Sequence, residues 1–87
     1  MYVIVVYDVA VERLDRVRKV LKQYLNWVQN SAFEGQLTEG KFEELVMNVR
    51  DVIDERADSV LCYCLSSAKW LDKKVIGIEK SEVTYVV

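Results

Sequence analysis

Histidine is absent from the 87-residue chain, which removes imidazole from the available acids, bases and metal ligands. Cysteine is scarce as well: Cys62 and Cys64 are the only two, separated by one residue in an apolar run that reads as a strand. Alternate strand residues lie about 6.5–7 Å apart on one side, at or beyond the usual reach of a disulfide, so a reducing compartment and buried, unpaired thiols are expected. Zinc would need two further soft or imidazole ligands, which the sequence does not contain. The three glycines form no loop able to cradle a phosphate, and there is no proline, repeat or low-complexity tract. The longest apolar run, residues 2–7, is far short of the roughly 20 residues that cross a bilayer. The opening also lacks a basic leader and a small-residue cleavage site. A cytoplasmic protein without a membrane span is the expectation.

What is present is a chain with 52% hydrophobic and 30% charged residues. That composition and length predict a single domain over residues 1–87. A chain this short hides only about 60% of its unfolded surface on folding, so a leftover apolar face would favour a dimer. The formal net charge of −2 argues against coating nucleic acid by bulk electrostatics. Its distribution is uneven: residues 1–33 carry five basic and three acidic side chains, residues 34–58 three and eight, and residues 59–87 four and three. The first helical region can therefore present a phosphate-binding face that the net charge conceals.

The run YVIVVYD over Tyr2–Asp8 is almost unbroken β-branched and aromatic sequence, as in a central strand. From Val11, the residues Leu14, Val17, Leu21, Tyr24, Leu25 and Val28 recur at helical spacing among charged neighbours and predict an amphipathic helix. Residues 27–37 lose that stripe and read as a strand bent near Gly35, with residues 34–37 supplying an extra hairpin-like strand. Thr38 offers an N-cap to a second helix striped by Phe42, Leu45, Val46, Val49, Val52 and Ile53. Strands are expected over Ser59–Leu65, residues 73–78 with a bulge or kink at Gly77, and residues 82–87. Two strand–helix–strand units with both helices on one side of an antiparallel sheet make a ferredoxin-like βαββαβ sandwich. The last segment, EVTYVV, is then surplus, and pairing it with a second copy removes an apolar edge.

Tyr7-Asp8-Val9 after the first strand, the basic helix, and the stretch Val28-Gln29-Asn30-Ser31-Ala32-Phe33-Glu34-Gly35 together resemble the CRISPR-associated protein 2 family. Leu37-Thr38-Glu39 ahead of the second helix and Val75-Ile76-Gly77 near the end extend the resemblance over almost the whole chain. The resemblance implies a ferredoxin-like homodimer whose C-terminal strand pairs with the partner's sheet. It also implies a metal-dependent endonuclease acting on RNA or DNA, and a component of spacer acquisition that bridges dimers of the CRISPR-associated integrase. Asp8 matches the family's catalytic, metal-binding carboxylate; Arg13 and Arg16 match its basic helix positions; Ser31 and Phe33 match its second-strand motif, with Tyr7 beside the carboxylate. Trp27 stands where many members carry arginine, so no phosphate contact is assigned to it, and Ala32 replaces a bulkier aliphatic residue.

The residues themselves leave alternatives open. Phosphodiester hydrolysis needs charge stabilisation at phosphorus and an activated water, and Mg²⁺ or Mn²⁺ can supply both. Mg²⁺ is usually held by one or two carboxylates together with water and phosphate, so two Asp8 side chains across a two-fold axis would build what one chain lacks. The plainer reading is that Asp8 caps a turn. Arg13, Arg16, Arg18 and Lys19, with Lys22, either bind phosphates or form a solvated face paired with Glu12 and Asp15. Glu39, Glu43, Glu44, Asp51, Asp54, Glu55 and Asp58 read as a solvent face. Trp27, Phe33 and Trp70 fit core or interface packing better than base stacking. Ser31 and Ser66 have no base to activate them. Two functions follow, an Asp8-dependent nuclease and a non-catalytic DNA-binding adaptor, while a small-ligand regulatory domain lacks its glycine loop.

Overall fold

The computed structural model describes residues 1–81. Its elements run β1 (Tyr2–Asp8), α1 (Val11–Lys22), β2 (Asn26–Gln29), β3 (Ala32–Gln36), α2 (Glu39–Val52) and β4 (Ser59–Leu65), followed by one 3-10 turn at Ala68–Trp70. The four strands form one sheet in the order β2-β3-β1-β4, and every neighbouring pair is antiparallel. This is the ferredoxin-like βαββαβ arrangement. β1 is held on both sides, by β3 from Tyr2↔Gln36 to Val6↔Ala32 and by β4 from Tyr2↔Leu65 to Asp8↔Ser59.

Side chains alternate across a strand, so Val3, Val5 and Tyr7 of β1 share one face with Phe33 of β3. That face is buried against Val17 and Leu21 of α1 and Leu45 and Val49 of α2. α2 begins where the sequence places its cap: the Thr38 hydroxyl accepts a hydrogen bond from the Lys41 amide at 3.1 Å. α1 stops at Lys22, earlier than its apolar stripe predicts, its end tightened by the Gln23 and Tyr24 amides bonding to the carbonyls of Val20 and Leu21 three residues back. Val28 consequently lies in β2.

The stretch 27–37, expected as a strand bent near Gly35 with an extra strand over 34–37, divides earlier, into β2 and β3 at Asn30–Ser31. Asn30 adopts a left-handed φ of 43°, a conformation Asn tolerates better than most residues, and with Ser31 reverses the chain. Gly35 makes no bend; it pairs regularly with Val3, and its missing side chain leaves room for Leu25, whose Cδ2 lies 3.2 Å from where a Cβ would stand. Residues 73–78 form no strand. Lys73 is drawn to Glu34 of β3 by a 2.7 Å ion pair, and Gly77 takes a φ of 97°. Cys62 and Cys64 are unpaired as expected but exposed rather than buried, since β4 is an edge strand that the helices cover only in part. The strand expected over residues 82–87 lies outside the described residues.

Substitutions at two glycines separate close packing from open space. Gly35→Val must push Leu25 aside and is expected to destabilise the fold by about 1–3 kcal/mol. Gly40→Ala, in the first turn of α2 with nothing within 4 Å of the added Cβ, is expected to stabilise by about 0.4–1 kcal/mol through the unfolded chain. Urea titrations of both variants measure the two shifts directly.

Candidate active site at the end of the central strand

The alternation that buries Val3, Val5 and Tyr7 sends Tyr2, Ile4, Val6 and Asp8 to the opposite face of the sheet, which carries no helix. Leu61 and Tyr63 of β4 pair with Val6 and Ile4 there. Toward Asp8 this side is apolar yet open, with Val6, Leu61 and Tyr63 38%, 51% and 56% exposed, whereas beside Ile4 it carries Glu34, covered by its ion pair with Lys73. Asp8 ends the stripe, exposed to solvent, and among the described residues its carboxylate makes no hydrogen bond or ion pair. An uncommitted carboxylate at the end of a strand held on both sides is a rigidly placed oxygen donor.

Beside it lies a side chain that charge patterning had put on the solvent face. The Asp58 carboxylate is wholly shielded from water and accepts four hydrogen bonds. Oδ1 takes the Ala10 amide and Arg13 Nη2, both at 2.9 Å. Oδ2 takes Arg13 Nε at 2.6 Å and the Asp54 amide at 2.9 Å. The Arg13 fork, expected to meet phosphate, is thus engaged on a carboxylate, with its remaining nitrogen 3.5 Å from Glu12. A charge removed from water survives only with such partners. The only hint in the sequence was Ala10, a poor cap in front of a strongly amphipathic helix, which α1 starts from without any side-chain cap of its own.

The other candidate residues divide by position on α1. Arg18 Nε donates to the Tyr7 hydroxyl at 3.2 Å, so both edges of the helix, Arg13 and Arg18, hold the fold. Arg16 and Lys19, on the back, are exposed and form no ion pair among the described residues. Ser31 reaches the site through its backbone, its carbonyl accepting from the Tyr7 amide at 3.0 Å. Phe33 is fully buried, its ring centroid 6.1 Å from that of Tyr7, and cannot stack on a base. The indole N–H of Trp27 donates to the Asn30 carbonyl at 3.1 Å and braces the β2–β3 turn. Trp70 is exposed, under Lys69.

Among the described residues no three His, Cys, Asp or Glu side chains converge as a metal site. The donor chemistry nevertheless fits a hard divalent cation: Asp8 presents free carboxylate oxygens, and Mg²⁺ is satisfied by one or two carboxylates with water and phosphate. A groove of about 460 Å³ between α2 and β4, lined by Phe42, Val46, Val49, Ile53, Val60 and Cys62 among others, lies on the helix side and meets this site only at its end, where Asp58 and Ser59 line it. No described helix is long and apolar enough to cross a membrane.

An exposed strand-end carboxylate on the open side of a four-stranded ferredoxin-like sheet, beside a helix with a basic back, defines a small α+β domain of the ferredoxin-like class. Comparison with known proteins narrows the class. The model of the CRISPR associated protein Cas2 family matches residues 1–73. A curated relative from Archaeoglobus fulgidus, CRISPR-associated endoribonuclease Cas2 2, is 52% identical over 92% of this chain and 87% of its own. The CRISPR-associated endoribonuclease Cas2 of Pyrococcus furiosus is 45% identical over the full length of both. A crystal structure of a cas2 protein superposes with a TM-score of 0.84 at 49% identity, covering 100% of this chain and 98% of that one. Streptococcus pyogenes Cas2 follows at 0.73 and 33%, covering 86% and 99%. The chain belongs to the Cas2 family.

The Asp58 carboxyl is held well below its ordinary value of 3.8 by the Arg13 hydrogen bonds first and the Asp54 amide next, against the cost of desolvation. A carboxyl whose folded pKa is depressed stabilises the fold above its unfolded pKa, and that contribution disappears as pH falls below about 4. Asp58→Asn is expected to melt several degrees lower than the native chain at pH 7. Thermal melts from pH 7 down to pH 2 should show the two proteins converging as Asp58 of the unfolded chain gains its proton while the folded one stays ionised.

Proposed function

We propose that the chain is a divalent-cation-dependent endonuclease that works as a homodimer on RNA. The observation carrying this reading is the position of Asp8: an unpaired carboxylate at the edge of an open apolar sheet face. If a second copy covers that face by a two-fold axis, residues near the axis meet their own copies, and two Asp8 carboxylates can share one Mg²⁺ or Mn²⁺ ion. The endoribonuclease names of the Archaeoglobus and Pyrococcus relatives support phosphodiester cleavage and favour RNA over DNA. When bound, the ion would polarise the phosphate and lower the pKa of an attacking water. The residues of the chain do the rest. Asp8 holds the ion, the β1 ladder keeps that carboxylate in place, and Arg16 and Lys19 draw the phosphate backbone by charge. Tyr7, Ser31 and Phe33 act from behind, as the packing under the site. The apolar sequence of residues 82–87, surplus to the four-stranded sheet, makes that segment the proposed contact with the partner. Two free thiols suit a reducing cytoplasm.

A second reading has its own support. The exposed, unpaired Arg16 and Lys19 need no chemistry to bind nucleic acid, and a dimer with two such helices can serve spacer acquisition as an adaptor that holds DNA and bridges dimers of the CRISPR integrase. Asp8→Asn separates the two. Cleavage of single-stranded RNA with Mg²⁺ or Mn²⁺ is expected to fall at least about a hundredfold, and to stop with chelator, while binding of RNA or DNA persists. Cleavage undiminished in Asp8→Asn of verified purity rules out the metal assignment; no cleavage by the native protein in any metal leaves the adaptor.

Binding and assembly are tested separately. Arg16→Ala with Lys19→Ala is expected to weaken nucleic-acid binding and lower its salt slope by up to about two. Removal of residues 82–87 is expected to shift the mass in light scattering toward the monomer or cause aggregation. A well-folded dimer of unchanged mass assigns the contact to the open sheet face alone.

A further inference from the structure

We infer that Arg13 and Asp58 are positioning residues for Asp8: together they form a clamp that sets where the metal-binding carboxylate stands, and they touch neither metal nor nucleic acid. The inference rests on the reading of Asp8 as a metal ligand. Its basis is the path of the chain around Asp8. Only Val9 and Ala10 separate the end of β1 from the first residue of α1, so the direction in which Asp8 leaves the sheet depends on how that two-residue connection is held. On one side Asp8 faces Ser59 in the β1–β4 ladder, and Ser59 follows Asp58 in the chain. On the other, the Ala10 amide donates to Asp58 Oδ1 at 2.9 Å. The same carboxylate grips Arg13 in the first turn of α1 through both Nε and Nη2, and it is tied to its own loop by the Asp54 amide.

One shielded side chain therefore joins the exit from β1, the start of α1 and the entry to β4. It supplies the cap that Ala10 cannot provide, from 48 residues away in the chain, and its negative charge suits the positive end of the α1 dipole. The arginine is required as well as the acid. A guanidinium offers two parallel donors in a rigid fork, whereas an ammonium at the same place is a point charge without that geometry. The clamp thus specifies a direction as well as an attraction, and that is what a ligand within reach of a second copy's Asp8 needs.

The test uses the full chain and two variants, Arg13→Lys and Asp58→Asn, with Asp8→Asn as the control. Mn²⁺ is titrated while the amide resonances are followed by NMR, where the bound paramagnetic ion broadens nearby signals. Affinity for a single-stranded RNA oligonucleotide is measured in chelator, and kcat and KM for its cleavage in Mg²⁺. Arg13→Lys is expected to stay folded, to need at least about five times more Mn²⁺ to broaden the Asp8 signal, and to lose kcat with KM and RNA affinity within about twofold. Asp58→Asn should behave alike; if it does not fold, Arg13→Lys decides alone. Weakened RNA binding with native Mn²⁺ response would make Arg13 a phosphate contact and overturn the clamp. Native values of both would reduce the pair to stability only and overturn it equally. Failure of Mn²⁺ to broaden Asp8 in the native protein defeats the underlying metal reading, and it appears before any variant is compared.

Discussion

A strand in the middle of a sheet must send successive side chains to opposite faces, and the rest of this molecule follows from β1 obeying that constraint. Val3, Val5 and Tyr7 become the floor of the core under the two helices, while Tyr2, Ile4 and Val6 are left on a side with no helix to cover them. Asp8 falls on the uncovered side by the same count. Structure and candidate chemistry are therefore set by one period of two. A shift of one residue would bury the carboxylate and expose the core.

The second controlling feature is electrostatic. The β1–α1 connection is too short to stabilise itself, and Ala10 has no side chain with which to cap the helix. Asp58 satisfies it from the loop just ahead of β4, its shielded charge met by four hydrogen bonds. Arg18 on Tyr7 and the Asn48–Tyr24–Glu44 chain between the α1–β2 connection and α2, at 2.6 and 2.9 Å, do similar work with less burial. Basic residues on α1 are consequently of two kinds. Those at the edges of the apolar stripe bind the protein, and those on its back face solvent.

Much of the architecture was legible in the residues. The β-branched run of β1, the helical stripes of α1 and α2, the Thr38 cap and the limits of β4 reflect local spacing and local hydrogen bonds, which need no knowledge of distant neighbours. The β2–β3 turn was harder, since Asn-Ser is a weak turn pair and reverses the chain only because Asn30 takes a left-handed φ braced by Trp27. Residues 73–78 read as a strand from their aliphatic content, but a strand needs a neighbour, and Lys73 is pulled across to Glu34 instead. The exposure of Cys62 and Cys64 likewise depends on β4 lying at the sheet edge, a matter of strand order rather than of β4 itself.

The sequence by itself determined the order of helices and strands, the ferredoxin-like class, the family resemblance carried by Tyr7-Asp8 and Ser31-Ala32-Phe33-Glu34, and Asp8 as the carboxylate at a strand end. Each is encoded by residues within a few positions of one another. Only the tertiary structure decided that Asp8 shares its face with an uncovered apolar stripe, that Phe33 is core, and that Arg13 belongs to Asp58 rather than to solvent. A pairing across 45 residues leaves no periodic trace in either segment, and an aspartate in an acidic helix–loop region looks like any other until folding removes the water around it.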